Sequence, residues 1–278
     1  MNEIICCNCI NIMSEIDEDS IHLVITSPPY EDRRIYDSKN SGFMSQRDFE
    51  LISKYIYKVL VPGGVLVWVI SDKTSNFCES LNSFRQAIYF VDKIGFNLVD
   101  TMIYKKRNYI PGCNIHRKYS DVFEYMFIFS KGRPRVFNPL LENKSSVRNN
   151  KTSFRNKDGS IRVRNVEKYI NSDLKLRTNV WEYLIGPFAD KNMIKFKHPA
   201  TFPDRLVEDH ILTWTNEGDI VLDPMAGSGT VPFISKKLNR KYIGIDISEN
   251  YCNIARDRIN GKIVYSNNKK HGKVAGLG

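Results

Sequence analysis

Residues 218–230 read GDIVLDPMAGSGT, and the order of residue types in that stretch decides the fold. An apolar run, Ile220-Val221-Leu222, ends in Asp223; a turn follows at Gly227-Ser228-Gly229, and a second apolar segment opens at Thr230. A short apolar run punctuated by glycines reads as a strand that enters a tight turn and then a helix. Glycine accepts the turn dihedrals and carries no Cβ to collide with a ligand drawn close to the backbone. The next run, KYIGIDI at 241–247, ends in a second carboxylate, Asp246, and SENYCNIARDRI at 248–259 has helical spacing with Ser248 in the cap position. Strand, glycine turn, helix, strand and carboxylate form the pattern that binds a nucleoside cofactor at the carboxyl edge of a parallel sheet, the acid accepting the ribose hydroxyls. A dinucleotide fingerprint needs glycine where the chain has Pro232, and the Gly-Lys-Ser/Thr of a phosphate loop is absent. Pyrophosphate cradling is disfavoured on both counts.

The same alternation extends outward. IHLVI at 21–25 reads as a strand that stops at Ser27-Pro28-Pro29. Ser45, with Asp48 three residues on, caps a helix whose apolar residues Phe49, Ile52, Ile56, Val59 and Leu60 repeat at helical spacing until Pro62-Gly63-Gly64. VLVWVI at 65–70 is a buried strand by length and β-branched content, residues 80–94 a helix closed by Gly95, and NLVDTMIY the strand after it. DVFEYMFIFSKG at 121–132 reads as one long strand or a strand pair, and order resumes at NVWEYL, 179–184. Strands alternating with helices predict an α/β fold with a doubly wound, mostly parallel sheet.

Composition bounds the rest. The 278 residues, 42% hydrophobic and 12% aromatic, suit one large domain or a core domain carrying an insertion. The formal charge of +10 suggests a polyanionic partner. From Lys131 to Thr178 there are thirteen Lys or Arg against four Asp or Glu, a net of +9, so nearly the whole excess falls in one segment. Two readings fit that segment: a solvated insertion, or a nucleic-acid module whose cations neutralise phosphates. Six scattered cysteines are too few for a disulfide scaffold and fit a reducing cytoplasm. Cys6-x-x-Cys9 lacks two further ligands at suitable spacing, so no metal is expected. MNEIICCNC has neither a basic start nor a long apolar stretch, and the apolar runs are of strand length, so neither a signal peptide nor a membrane span is expected.

Ser27-Pro28-Pro29-Tyr30 has two readings of its own. Proline fixes φ and restricts the residue before it, so the tetrapeptide is rigid, and a plain turn would suffice to explain it. At the end of a parallel strand the same segment would present a hydroxyl and a carbonyl able to accept both hydrogens of an amino group, with an aromatic ring beside it to stack on a flat base. An aromatic amine is a poor nucleophile because its lone pair is delocalised; fixing both hydrogens aims that lone pair at an electrophile.

Together these stretches resemble the S-adenosylmethionine-dependent DNA amino-methyltransferases over most of the chain. TSPPY (26–30) is similar to that family's catalytic motif, DPMAGSGT (223–230) to its cofactor loop and GIDI (244–247) to its ribose-binding strand end. NVW (179–181), HPATFPDRL (198–206) and RKYIGIDISENYCNIARDRI (240–259) match further characteristic stretches. The resemblance implies a Rossmann-like methyltransferase fold in the permuted order of the β class: a catalytic half at 1–130, a target recognition insertion at 131–178, a cofactor-binding half at 179–260 and a tail at 261–278. It implies catalytic roles for Ser27, Pro28, Pro29 and Tyr30. It places the cofactor against Asp223, Pro224, Met225, Ala226, Gly227, Ser228, Gly229, Thr230, Asp246 and Ile247. His198, Pro199, Phe202 and Pro203 would lie on its methionine side, and Asn8 near its adenine, although the family more often has Gly-Asp where this chain has Cys7-Asn8. Arg148, Arg155, Arg162, Arg164 and Arg177 are the expected DNA contacts.

Cytosine C5 chemistry needs a nucleophilic cysteine, usually after proline, and no cysteine here follows a proline. Family members with Ser at the Ser27 position mostly methylate cytosine N4, and those with Asp or Asn adenine N6; the resemblance therefore implies N4 of a flipped-out cytosine. Double-stranded DNA is the implied partner and a cognate restriction endonuclease the functional one, for a cytoplasmic monomer or homodimer. Adenine N6 methylation is the first alternative, an RNA or protein methyltransferase the second, and a non-catalytic DNA-binding module the third.

Overall fold

The computed structural model describes residues 1–29, 44–76, 78–109, 119–143, 151–165, 174–186 and 201–262, with the backbone alone at 151–154 and 162–165. The chain divides into two compact units, Met1–Phe137 with Asn179–Gly278, and Asn138–Thr178. No described helix is long and apolar enough to cross a membrane.

The larger unit begins with strand β1 (Glu3–Cys6), helix α1 (Cys9–Glu15), β2 (Ile21–Thr26), α2 (Gln46–Val59) and β3 (Leu60–Ile70). A two-residue hairpin, β4 (Thr74–Ser75) with β5 (Cys78–Glu79), precedes α3 (Asn82–Tyr89), a π-helical turn (Phe90–Ile94), β6 (Asn97–Lys106) and β7 (Phe123–Ser130). After the second unit come β12 (Val180–Tyr183), α4 (Asp204–Trp214), β13 (Ile220–Asp223), α5 (Thr230–Lys237), β14 (Lys241–Asp246) and α6 (Glu249–Ile259). Eight of these strands form one sheet in the order β1-β14-β13-β2-β3-β7-β6-β12, in which β7 alone runs against its neighbours β3 and β6. The expected doubly wound, mostly parallel α/β sheet is the observed one.

Both faces of the sheet are covered, which is why β2 and β3 are near-continuous apolar runs with no polar alternation. Val24, Leu66, Trp68, Phe127, Phe129 and Leu222 take one face and pack with Phe49, Ile52 and Ile56 of α2. Leu23, Ile25, Val67, Met126 and Ile128 are buried at the alternate positions. That face meets α4, where His210 Nε2 lies 3.3 Å from Met126 Sδ and the His210 ring 4.7 Å from that of Trp181. Phe90, fully buried, is the hub of the first face, with ring centroids 5.4 Å from Phe49, 5.1 Å from Trp68 and 5.0 Å from Phe129.

The local signals hold where they were strongest. Ser45 Oγ accepts from the Asp48 N–H while the Asp48 carboxylate accepts from the Ser45 N–H, a full capping box. Ser248 caps α6 by accepting from the Tyr251 N–H. Residues 121–132 contain one strand, and residues 179–184 contain β12. The helix expected over 80–94 instead passes from α3 into the π turn, closed by Gly95, so that Phe90 and Phe96 both enter the core. The sequence does not signal β1, α1, α4, the β4–β5 hairpin or the short strands of the second unit; β1 spans 4 residues and α1 only 7, too few for periodicity to register. Helix α2 ends at Val59, and Pro62-Gly63-Gly64, expected to stop it, lies within β3, which already begins at Leu60. Gly63 sits at φ +77°, and a Cβ there would lie 2.7 Å from the Arg133 carbonyl oxygen.

The smaller unit holds two antiparallel ribbons: β8 (Leu141–Asn143) with β11 (Leu174–Leu176), and β9 (Lys151–Arg155) with β10 (Ile161–Asn165). Its boundary at Asn138 lies inside the basic segment, expected to begin at Lys131. The intervening cations belong to the larger unit. Lys131 Nζ donates to Asp19 Oδ1 at 2.7 Å and to the Leu60 carbonyl at 2.9 Å, and Arg135 forms an ion pair with Asp219. The expected tail lies outside the described residues from 263 onward.

Ser45→Ala should destabilise the fold by about 1 kcal/mol, the usual worth of such a cap. Gly63→Ala should cost more, because its Cβ would meet backbone atoms that cannot step aside at a φ that L residues avoid. Urea unfolding of the two variants measures both; a Gly63→Ala midpoint at or above that of Ser45→Ala would contradict the close approach of Gly63 to residues 133–135.

Candidate active site

The chain leaves β2 through α2 to reach β3 on one side, and leaves β13 through α5 to reach β14 on the other. The β2/β13 pair is therefore the point where the winding reverses, and the loops beyond their carboxyl ends diverge to leave a crevice. Those two loops are Ser27-Pro28-Pro29 and the glycine turn. Val221 pairs with Leu23 and Leu222 with Val24, so the two segments start side by side. Pro28 is buried, and Ser27 and Pro29 are half-buried. Tyr30 lies outside the described residues.

A buried bond ties the two loops: Thr26 Oγ1 donates to Asp223 Oδ1 at 2.8 Å. The Met225 N–H donates to the same oxygen at 3.1 Å, which folds the turn back over its own strand. Thr26 opens the TSPPY stretch but carries no assigned role in the sequence, because a threonine ending an apolar run reads as an ordinary strand former.

The rest of the glycine turn is anchored to β14. The Ala226 N–H donates to the Ile245 carbonyl at 2.8 Å and the Gly227 N–H to Asp246 Oδ2 at 2.8 Å. Asp246 Oδ1 accepts from the Ser248 N–H at 2.9 Å. Gly229 has φ +74°, and a Cβ there would lie 2.5 Å from Ala255 Cβ, so the turn lies directly on α6 and no larger residue fits. Pro224, Ser228 and Thr230 are buried and Met225 is half-buried, whereas Ile247, next to Asp246, is 55% exposed at the sheet edge. Pro203 is buried at the N-terminus of α4 and Phe202 before it is half-buried; His198 and Pro199 lie outside the described residues. Asn8 lies two residues beyond β1, whose last residue Cys6 pairs with Asp246, and its Oδ1 accepts from the Ile10 N–H at 2.8 Å to cap α1.

The structure thus brings Ser27, Pro28 and Pro29 to the same carboxyl edge as Asn8, Asp223 through Thr230, Asp246 and Ile247. The expected DNA contacts belong to the smaller unit. Arg155 closes β9, Arg162 and Arg164 stand opposite Phe154 and Thr152 in β10, and the Arg177 N–H donates to the Leu140 carbonyl at 3.0 Å. Arg148 lies outside the described residues. Burial drives the Cys9 thiol up to about 12, which leaves it an unreactive protonated thiol.

Two carboxyls dominate the electrostatics. Burial pushes Asp223 up to about 7, the hydrogen bonds from Thr26 and Met225 oppose that rise, and the neighbouring Asp246 carboxylate adds to it. Burial likewise raises Asp246, against the Ser248 and Gly227 N–H bonds. Between its ordinary value of 3.8 and about 7, Asp223 holds its proton in the folded chain and loses it in the unfolded one. Stability conferred by this group is therefore full at low pH and declines as pH rises through that window, by at most about 1.4 kcal/mol per pH unit. Asp223→Asn keeps an acceptor for Thr26 and Met225 but cannot ionise. Its urea midpoint should fall less than that of the parent between pH 5 and 8; equal falls would sink this assignment.

Residues 21–257 match the N6/N4 methyltransferase family model described as DNA methylase. The orphan methyltransferase M.BamHII of Bacillus amyloliquefaciens is 43% identical over 255 residues, covering 90% of this chain and 92% of that protein. The type II methyltransferase M.HpaI of Haemophilus parainfluenzae is 30% identical over 93% of this chain and 74% of that protein. Among solved structures, the PvuII DNA methyltransferase (cytosine-N4-specific) superposes with a TM-score of 0.68 at 21% identity, over 96% of this chain and 87% of that one. The M1.HpyAVI–SAM complex does so with a TM-score of 0.60 at 23% identity, over 93% and 99%. The Ser-Pro-Pro strand end and the glycine turn, joined across the reversal of the sheet, sit within the matched span, and the chain belongs to the DNA methylase family.

Proposed function

We propose that the protein transfers a methyl group from S-adenosylmethionine to the exocyclic N4 of a cytosine flipped out of duplex DNA at a specific sequence, as the modification half of a restriction-modification system. The observation that carries this reading is the buried Thr26–Asp223 bond, which holds the Ser27-Pro28 segment beside the glycine turn at one sheet edge. Ser27, with its hydroxyl in place of a carboxylate or carboxamide, supports cytosine over adenine, as does the cytosine-N4 specificity of the PvuII enzyme.

The residues fit the cofactor. Asp246 keeps acceptor capacity for ribose hydroxyls beyond its two N–H bonds, and the exposed Ile247 offers an apolar surface for an adenine face. Phe202 and Pro203, with His198 and Pro199, take its methionine side. When bound, S-adenosylmethionine supplies an electrophilic methyl group. The chain's own residues prepare the amine. Ser27 Oγ and the Pro28 carbonyl accept its two hydrogens, and Tyr30 stacks on the base, whose extrusion costs a few kcal/mol. Pinning the hydrogens localises the nitrogen lone pair and aims it, a gain from orientation and electrostatics. Basic residues of the insertion, Arg148, Arg155, Arg162, Arg164 and Arg177 among them, neutralise phosphates and hold the duplex.

Incubation with methyl-labelled cofactor and mixed-sequence DNA, followed by nucleoside analysis, should yield N4-methylcytosine. N6-methyladenine would move the target to adenine, and label in RNA or protein but not DNA would refute the reading. Ser27→Ala should lower kcat by about 100-fold or more while cofactor affinity stays within about twofold, because the lost contact acts on the amine during transfer. Turnover near the parent level would remove Ser27 from the mechanism.

A further inference from the structure

Helix α6 lies under the glycine turn at two successive points. Ala255 closes on Gly229, where a Cβ would come within 2.5 Å. Three residues later on the same face, Arg258 reaches the next residue of the turn: its Nη1 donates to Thr230 Oγ1 at 2.8 Å. Its Nη2 donates to both carboxylate oxygens of Asp204, each at 2.6 Å, and its Cζ sits 4.6 Å from the Phe233 ring centroid. This side chain is 1% exposed.

We propose that Arg258 is a positioning residue that sets the spacing of the cofactor site from below, by holding the glycine turn and the entry to α4 on one guanidinium. The proposal rests on the cofactor placement given above. Thr230 directly follows Gly229, and Asp204 directly follows Phe202-Pro203. Both walls assigned to the cofactor therefore end on the same planar group. A guanidinium suits that task because its donors are fixed in a fork, whereas an ammonium is a point charge that cannot keep both partners in register. Packing alone does not account for the choice. Burying a cation carries a desolvation cost, and an apolar side chain of similar volume would fill the space without one. Arg258 reaches the two walls through Thr230 and Asp204.

The test compares the full-length protein with Arg258→Lys, Asp204→Asn and the double variant, taking Asp246→Ala as the reference for a direct cofactor contact. The readouts are S-adenosylmethionine Kd, measured well below each melting temperature, and kcat at saturating cofactor. Arg258→Lys should raise Kd about tenfold with kcat within about twofold, the signature of lost ground-state binding. Asp204→Asn should raise it too, and the double variant should be no weaker than Arg258→Lys, since both changes break one unit. A purely structural arginine would lower the melting temperature and leave Kd of the folded protein unchanged. If Arg258→Lys does not fold, Asp204→Asn decides. A Kd within twofold of the parent in these variants, while Asp246→Ala weakens binding, overturns the positioning role alone. No change in Asp246→Ala or in the others overturns the cofactor placement and the positioning role with it.

Discussion

At the centre of the sheet, Thr26 on β2 donates a buried hydrogen bond to Asp223 on β13, across 197 residues of chain. Much else follows from that contact. It marks the place where successive crossovers wind in opposite directions, the one place in such a sheet where two loops part and leave room for a ligand. Closing so long a loop is not the obstacle it looks, because each doubling of length adds only about 0.6 kcal/mol. The strands it joins bury Leu23, Val24, Val221 and Leu222 completely, and that apolar burial more than offsets the closure. The hydroxyl then satisfies a carboxyl that would otherwise be an expensive buried acceptor.

The site is held against electrostatic preference. Asp223 and Asp246 stand at the ends of adjacent strands, both lifted by burial, with Asp246 adding to the rise of Asp223. The backbone N–H groups of Met225, Gly227 and Ser248 point at these two acids and partly compensate them. A fold concerned only with its own stability would place apolar residues there. Functional edges commonly retain such local cost, and the surrounding packing is what tolerates it.

Charge is divided more finely than composition suggests. Of the cations between 131 and 178, Lys131 and Arg135 are bound to Asp19 and Asp219 within the larger unit, at the amino end of the central strands. Those two ion pairs secure the chain just before it departs into the insertion at Asn138. Beyond that point the cations lie in the smaller unit, where Lys175 pairs with Glu142 at 3.1 Å.

Features set by neighbours in sequence were legible without coordinates. The caps at Ser45 and Ser248, the buried strands at 21–25 and 65–70, and the strand, glycine turn and helix at 220–237 each depend on contacts a few residues away, and residue type reports them directly. The candidate edge was legible for a related reason: prolines after one strand and glycines after another restrict the backbone wherever they occur. Other features depend on partners that no local window contains. The antiparallel course of β7, the π turn that seats Phe90, the place of the four-residue β1 beside β14 and the boundary at Asn138 are of this kind. So are the roles of Thr26 and Arg258, a threonine and an arginine of ordinary appearance until Asp223 and Asp204 are brought against them. Residue types alone sufficed for the strands and helices whose signals are local, and for picking out the proline-bearing and glycine-bearing loops as the candidate site. Only the tertiary structure decided that those loops meet, because the bonds that join them pair side chains far apart in the chain, and such pairing exists only once the sheet has formed.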